Sequence, residues 1–82
     1  MTPEQLKERI ETLNGNTSAE IMDLTGTQDH YKAIVVSAEF EGKSLIQQHQ
    51  LVYGTVKDEM ASGEVHALSL KTMTPEQYKA LG

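Results

Sequence analysis

Tyr31-Lys32-Ala33-Ile34-Val35-Val36 places an aromatic and three β-branched residues within six positions, the densest strand signal in the chain. A run this apolar reads as a central strand with neighbours on both sides, and the remaining elements must be arranged around it. The strand is expected from His30 to Ala38. Upstream, Thr17 to Leu24 carries Ala19, Ile21, Met22 and Leu24 in weak alternation and predicts a first strand, joined to the central one through the polar turn Thr25-Gly26-Thr27-Gln28-Asp29. Downstream of the loop Glu39-Phe40-Glu41-Gly42-Lys43, Ser44 can cap a helix reaching about Ala61. Leu45, Ile46, His49, Val52, Tyr53, Val56 and Met60 recur on one side of it at three- and four-residue steps, which predicts an inward face that includes His49. Ser62-Gly63 ends that helix. Val65 to Lys71 then reads as a third strand, with Val65, Ala67 and Ser69 on one face and His66, Leu68 and Leu70 on the other.

Two copies of one helix-starting phrase frame this core, Met1-Thr2-Pro3-Glu4-Gln5 and Met73-Thr74-Pro75-Glu76-Gln77. In each, Thr serves as N-cap, Pro as the first helical residue, and Gln can reach back to close a capping box. The first opens a helix from Thr2 to about Leu13, with Leu6, Ile10 and Leu13 as its stripe and Asn14-Gly15-Asn16 as its stop. The second opens a short helix to Leu81. The residues beyond the two copies differ, so the copies read as shared capping chemistry rather than a duplicated domain.

The predicted order is α-β-β-α-β-α. The short turn makes strands one and two antiparallel, and the intervening helix makes strands two and three parallel through a right-handed crossover. The fold class is α/β (α+β), a three-stranded mixed sheet covered by helices on one face. With 82 residues the expectation is a single domain spanning 1–82 that buries about 60–65% of its unfolded surface, too little for a large internal cavity.

Composition narrows the chemistry. Seven Lys/Arg against twelve Asp/Glu give a formal charge of -5, which disfavours phosphate backbones and anionic lipid. Cysteine is absent, so disulfides, thiol catalysis and Cys-based metal sites are excluded for these residues, and a metal would have to come through His30, His49, His66 or carboxylates. No run approaches the roughly 18 apolar residues of a membrane span, and the N-terminus lacks the apolar centre of a signal peptide. A cytoplasmic address is expected.

Gly42-Lys43-Ser44 sits where a phosphate-binding loop would end, but the first glycine of that motif falls at Ser37, and Glu39 and Glu41 place negative charge in the cradle. A plain Ser-capped helix start is favoured. The three histidines lie on three different elements without zinc-like spacing. Ordinary structural roles are favoured for His49 and His66 on packed faces and for His30 beside the turn. Ser37, Ser44, Tyr53 and the carboxylates form no recognisable nucleophile and base set, so no enzymatic activity is expected. Asp58-Glu59, near the end of the long helix, read as solvated charges slightly opposed to its dipole. Gly54 within that helix suggests a close backbone contact, since Gly there costs about 1 kcal/mol against Ala.

Val35-Val36-Ser37, Phe40-Glu41-Gly42 and the helix Ser44 to Tyr53 with His49-Gln50-Leu51-Val52-Tyr53 resemble the signature of the BolA-like family. Val65-His66-Ala67-Leu68-Ser69-Leu70-Lys71-Thr72, followed by Thr74-Pro75-Glu76, resembles its closing block, and the agreement runs from about Tyr31 to Tyr78. The resemblance implies a class II KH-like fold and a partner role with monothiol glutaredoxins in iron–sulfur cluster trafficking and iron homeostasis. It further implies a [2Fe–2S] cluster shared with glutaredoxin and glutathione, not held by the isolated chain, with His66 at the position of the family's histidine ligand. The family's second ligand, a Cys or His of the loop between the first two strands, corresponds to about Thr27, which is no useful ligand. His30, at the end of the same loop, is the candidate replacement. Phe40, Gly42, His49 and Lys71 fall on signature positions for partner binding. Some relatives act as transcriptional regulators on DNA, but the family's Arg before the signature histidine is Gln48 here and the KH module's G-x-x-G loop is missing. DNA binding is therefore expected to be weak or absent, and the chain alone is expected as a monomer or weak homodimer.

Overall fold

The computed structural model describes residues 2–13, 16–24, 26, 30–65 and 67–81. Along the chain run α1 (Pro3–Ile10), β1 (Ser18–Asp23), β2 (His30–Val36), a 3-10 turn (Ala38–Phe40), α2 (Leu45–Thr55), α3 (Lys57–Ser62), β3 (Ala67–Met73) and α4 (Pro75–Leu81). The sheet order is β1-β2-β3, so the β-branched run does occupy the centre. β1 pairs antiparallel with β2 from Ser18 opposite Val36 to Asp23 opposite Tyr31. β3 pairs parallel with β2 from His30 opposite Ala67 to Val36 opposite Met73.

Alternation along β2 turns Tyr31, Ala33 and Val35 into the core, where Leu6 and Ile10 of α1, Ala19 of β1, Val52 and Val56 of the helical layer, and Leu68 of β3 meet them. Lys32 and, on β3, Ser69 and Lys71 face solvent. The N-termini of α1 and α2 carry complete capping boxes, Thr2 with Gln5 and Ser44 with Gln47. The second Thr-Pro phrase repeats that chemistry: the Gln77 N–H donates to Thr74 Oγ1 at 3.2 Å and the Thr74 N–H to Gln77 Oε1 at 2.9 Å.

Several boundaries differ from the sequence expectation. β2 stops at Val36 because Ser37 leaves the ladder after its N–H reaches the Met73 carbonyl at 3.1 Å, and its Oγ then accepts from the Glu39 N–H to start the 3-10 turn. β3 begins later than Val65, whose N–H instead closes the turn after α3 on the Glu59 carbonyl. It also runs on to Met73, which lies opposite the end of β2.

The long helix predicted from Ser44 to Ala61 is two helices that meet at Val56, whose φ of -124° is not helical. The Thr55 hydroxyl donates to the Val52 carbonyl at 2.6 Å, a local bond that competes with the helical ladder, and β-branched Val56 follows directly. The break changes the reading of Asp58 and Glu59, which lie in the first turn of α3, where the dipole favours negative charge. Gly54 has no close neighbour: a Cβ built there meets nothing within 4 Å. Its helical cost is therefore uncompensated by packing, and Gly54→Ala is expected to stabilise the fold by about 0.5–1 kcal/mol. Thermal denaturation should show a melting point raised by roughly 3–6 °C, whereas an unchanged or lower one would mean that the backbone needs glycine.

Candidate functional site

The signature segment forms a small hydrogen-bonded knot between β2 and α2. Phe40 is fully buried and anchors it. Around this ring, the Phe40 N–H reaches the Ser37 carbonyl and the Lys43 N–H reaches the Phe40 carbonyl, both at 3.2 Å. Gly42 sits at φ +74°, in the left-handed region that favours glycine and lets the chain reverse into the Ser44 cap. Lys43 Nζ donates to the Glu39 carbonyl at 2.8 Å, which turns this lysine onto its own loop rather than toward a phosphate.

Beneath the knot lies a polar network that periodicity does not reveal. Gln48 is buried; its Nε2 donates to the Lys43 carbonyl at 2.9 Å and, in a longer contact, to the Phe40 carbonyl at 3.4 Å. Its Oε1 accepts from the Thr72 hydroxyl of β3 at 2.6 Å. One side chain thus joins the signature loop, α2 and the end of β3. Gln48, Val52 and Val56 succeed one another at four-residue steps, so the stripe is present in the sequence but disguised by a polar member.

This arrangement corrects the inward face expected of α2. Leu45 and Ile46 are 63% and 72% exposed, Tyr53 is at the surface, and His49 is only half-buried. The apolar positions at three- and four-residue steps wrap too far round the helix for all to face the sheet. The Tyr53 hydroxyl donates to the Leu68 carbonyl at 3.1 Å, tying the outer side of α2 to the first residues of β3. Lys71 is exposed further along that strand.

Of the two histidines singled out as ligands, His30 opens β2, is half-buried, and lies opposite Ala67 in the parallel register. Its backbone carbonyl accepts from the Leu24 N–H at 2.9 Å, which closes the ends of the first hairpin. Thr27 and His66 lie outside the described residues. The register nevertheless brings the end of the β1–β2 connection and the first residue after His66 to the same end of the sheet. Among the described residues, no three His, Asp or Glu side chains are grouped to hold a metal ion, and no helix is long and apolar enough to cross a membrane.

A three-stranded mixed sheet with this connectivity and four helices defines an α+β domain that is similar to a Bol-like protein from Babesia bovis, at a TM-score of 0.83 and 28% identity over 99% of this chain and 93% of that one. The chain belongs to the BolA-like family, whose model, described as BolA-like protein, matches residues 2–77. BolA-like protein 1 from Bos taurus is 44% identical over 54 residues, covering 66% of this chain and 39% of the bovine one. The DNA-binding transcriptional regulator BolA from Haemophilus influenzae is 38% identical over 55 residues, covering 67% of this chain and 52% of its own. The matched regions thus span about half or less of these curated relatives.

Proposed function

We propose that this chain is a non-enzymatic adaptor that binds a monothiol glutaredoxin and shares a [2Fe–2S] cluster with it, in iron–sulfur cluster assembly and iron homeostasis. The observation that carries the reading is the β2–β3 register, which sets His30 opposite Ala67 and so joins the two segments expected to supply ligands, the end of the β1–β2 connection and the start of β3. Within a family whose signature covers this edge, the register supports His66 as the first ligand and His30 as the replacement for Thr27. Neutral imidazoles ligate through a ring nitrogen lone pair and tend to raise a cluster's potential relative to thiolates. A chain without cysteine supplies no thiolate of its own, so thiolate ligands come from the partner and its glutathione.

A second reading, a DNA-binding regulator, draws on the name of the Haemophilus relative. It is the weaker one. The formal charge is -5, Gln48 is turned into the core, and Lys43 is engaged with its own loop, which leaves little of the cationic footprint that phosphate backbones require.

Titration into cluster-loaded monothiol glutaredoxin, followed by visible absorption and circular dichroism, tests the adaptor. The wild-type chain is expected to change the cluster spectrum, His66→Ala to leave the spectrum of glutaredoxin alone, and His30→Ala to weaken the change. Superimposable spectra for wild type and His66→Ala would sink the proposal.

A further inference from the structure

β1 is an edge strand, on the opposite side of the sheet from β3. The Leu24 N–H donates to the His30 carbonyl at 2.9 Å, so the backbone groups of Met22 and Glu20, two and four residues earlier, also turn toward β2. Those of Ala19 and Ile21 turn outward, to the free edge. Ala19 shows the direction: its N–H is met by no strand but by Glu11 Oε2, at 3.1 Å, from the end of α1. No described residue meets the N–H or carbonyl of Ile21 on that side. An uncovered strand edge is a template for another strand, and proteins ordinarily blunt it. Here the blunting stops at Ala19. Beside the edge lies an open cleft of about 510 Å³, walled by Pro3, Glu4 and Lys7 of α1, by β1 itself and by Tyr78 of α4.

From this geometry we infer that the edge of β1 takes an extended, basic segment of a partner protein as a fourth strand. The N–H and carbonyl of Ile21 supply main-chain pairing, the mode by which sheet edges bind extended chains. Side chains on one face of the added strand meet Ile21 and the α1 wall, and those on the other meet Glu20. Charge selects the occupant. Glu4 and Glu20 are exposed at the cleft, Glu11 sits on the edge itself, and the one ammonium of the walls, Lys7 Nζ, lies 3.8 Å from Glu11 Oε2. Such a surface attracts lysines or arginines and repels a second copy of a chain whose formal charge is -5. The inference uses no residue of the proposed cluster edge and stands or falls apart from it.

The test is a titration of the full chain, at about 0.15 M salt, with a short peptide alternating lysine and valine, read by amide chemical shifts and hydrogen exchange. Saturable shifts centred on Ser18–Asp23, with Lys7 and Tyr78, are expected. Near saturation the Ile21 amide should exchange about tenfold more slowly, and the Glu20 amide, already turned to β2, should change less. Two forms of the peptide, N-methylated on every second residue in the two alternate frames, separate strand pairing from charge attraction: one should bind like the parent and the other should not. Glu20→Lys, at an exposed position, should weaken binding several-fold, while Glu64→Lys, the same charge change beyond α3, should bind nearly like wild type. Unsaturable shifts over the acidic surface, equal responses to the two methylated forms, equal affinities of the two lysine variants, or an Ile21 amide already protected in a dimer without peptide would each overturn the assignment.

Discussion

Phe40→Ala is expected to cost about 3–5 kcal/mol of stability and to lower the melting temperature by at least about 12 °C. The ring is fully buried under the signature loop, and its removal leaves a void bounded by a loop pinned at both ends, by Ser37 just after β2 and by the Ser44 cap of α2. Such a site collapses poorly, which places the loss toward the upper part of the range. A domain of this size has a total stability of only about 4–12 kcal/mol, so the variant is near the limit of folding. Leu45→Ala is the matched comparison: also an apolar truncation at the signature segment, but at a side chain 63% exposed, and it should change stability by less than about 0.5 kcal/mol. Thermal denaturation of the two decides the matter; equal losses would mean that the loop does not pack as described.

Gln48→Leu is the second large effect, with an expected loss of about 2–4 kcal/mol. Leucine is similar in size and apolar, so a purely hydrophobic accounting would favour it. It strands the Lys43 carbonyl and the Thr72 hydroxyl, and it removes the longer contact to the Phe40 carbonyl. An orphaned buried polar group costs more than its hydrogen bond contributes, which sets the direction of the change. Adding Thr72→Val removes the stranded hydroxyl and should restore part of the loss, giving a coupling of about 0.5 kcal/mol or more in a double-mutant cycle. Denaturant unfolding at the wild-type midpoint for Gln48→Leu would mean that the network carries no weight.

Much of this architecture is legible in the residues alone. The β-branched run Ile34–Val36 could only be a central strand, a short polar turn makes one neighbour antiparallel, and the length of chain between strands makes the other parallel. The Thr-Pro-Glu-Gln phrases locate two helix starts because capping is local chemistry. Legibility ends where a local rule is overruled by its neighbours. Nothing in periodicity marks Val56 as a break, where the Thr55 hydroxyl turns back to the Val52 carbonyl and the backbone leaves helical dihedrals. Gln48 has the look of a surface position, matching an Arg of the family signature, because polarity is a poor guide where loop carbonyls need a donor. Glu59 has the look of a solvated charge because its burial is created by α1, distant in sequence. The pair His30 and His66 is suggested by resemblance, and the register adds a shared end of the sheet.

The parallel pairing also governs how the molecule is assembled. Partners in the first hairpin are as few as eight positions apart, Asp23 with Tyr31, whereas every β2–β3 pair is separated by 37, from His30 with Ala67 to Val36 with Met73. Closing the longer loop costs about 1.4 kcal/mol more in chain entropy, before any contact compensates it. On chain entropy alone, the strand that follows His66 is expected to pair after the first hairpin. The edge that presents this segment has no existence short of the finished domain, so a peptide cut from residues 60–75 would not reproduce it, and whatever loosens the helices reaches the sheet edge as a loss of geometry.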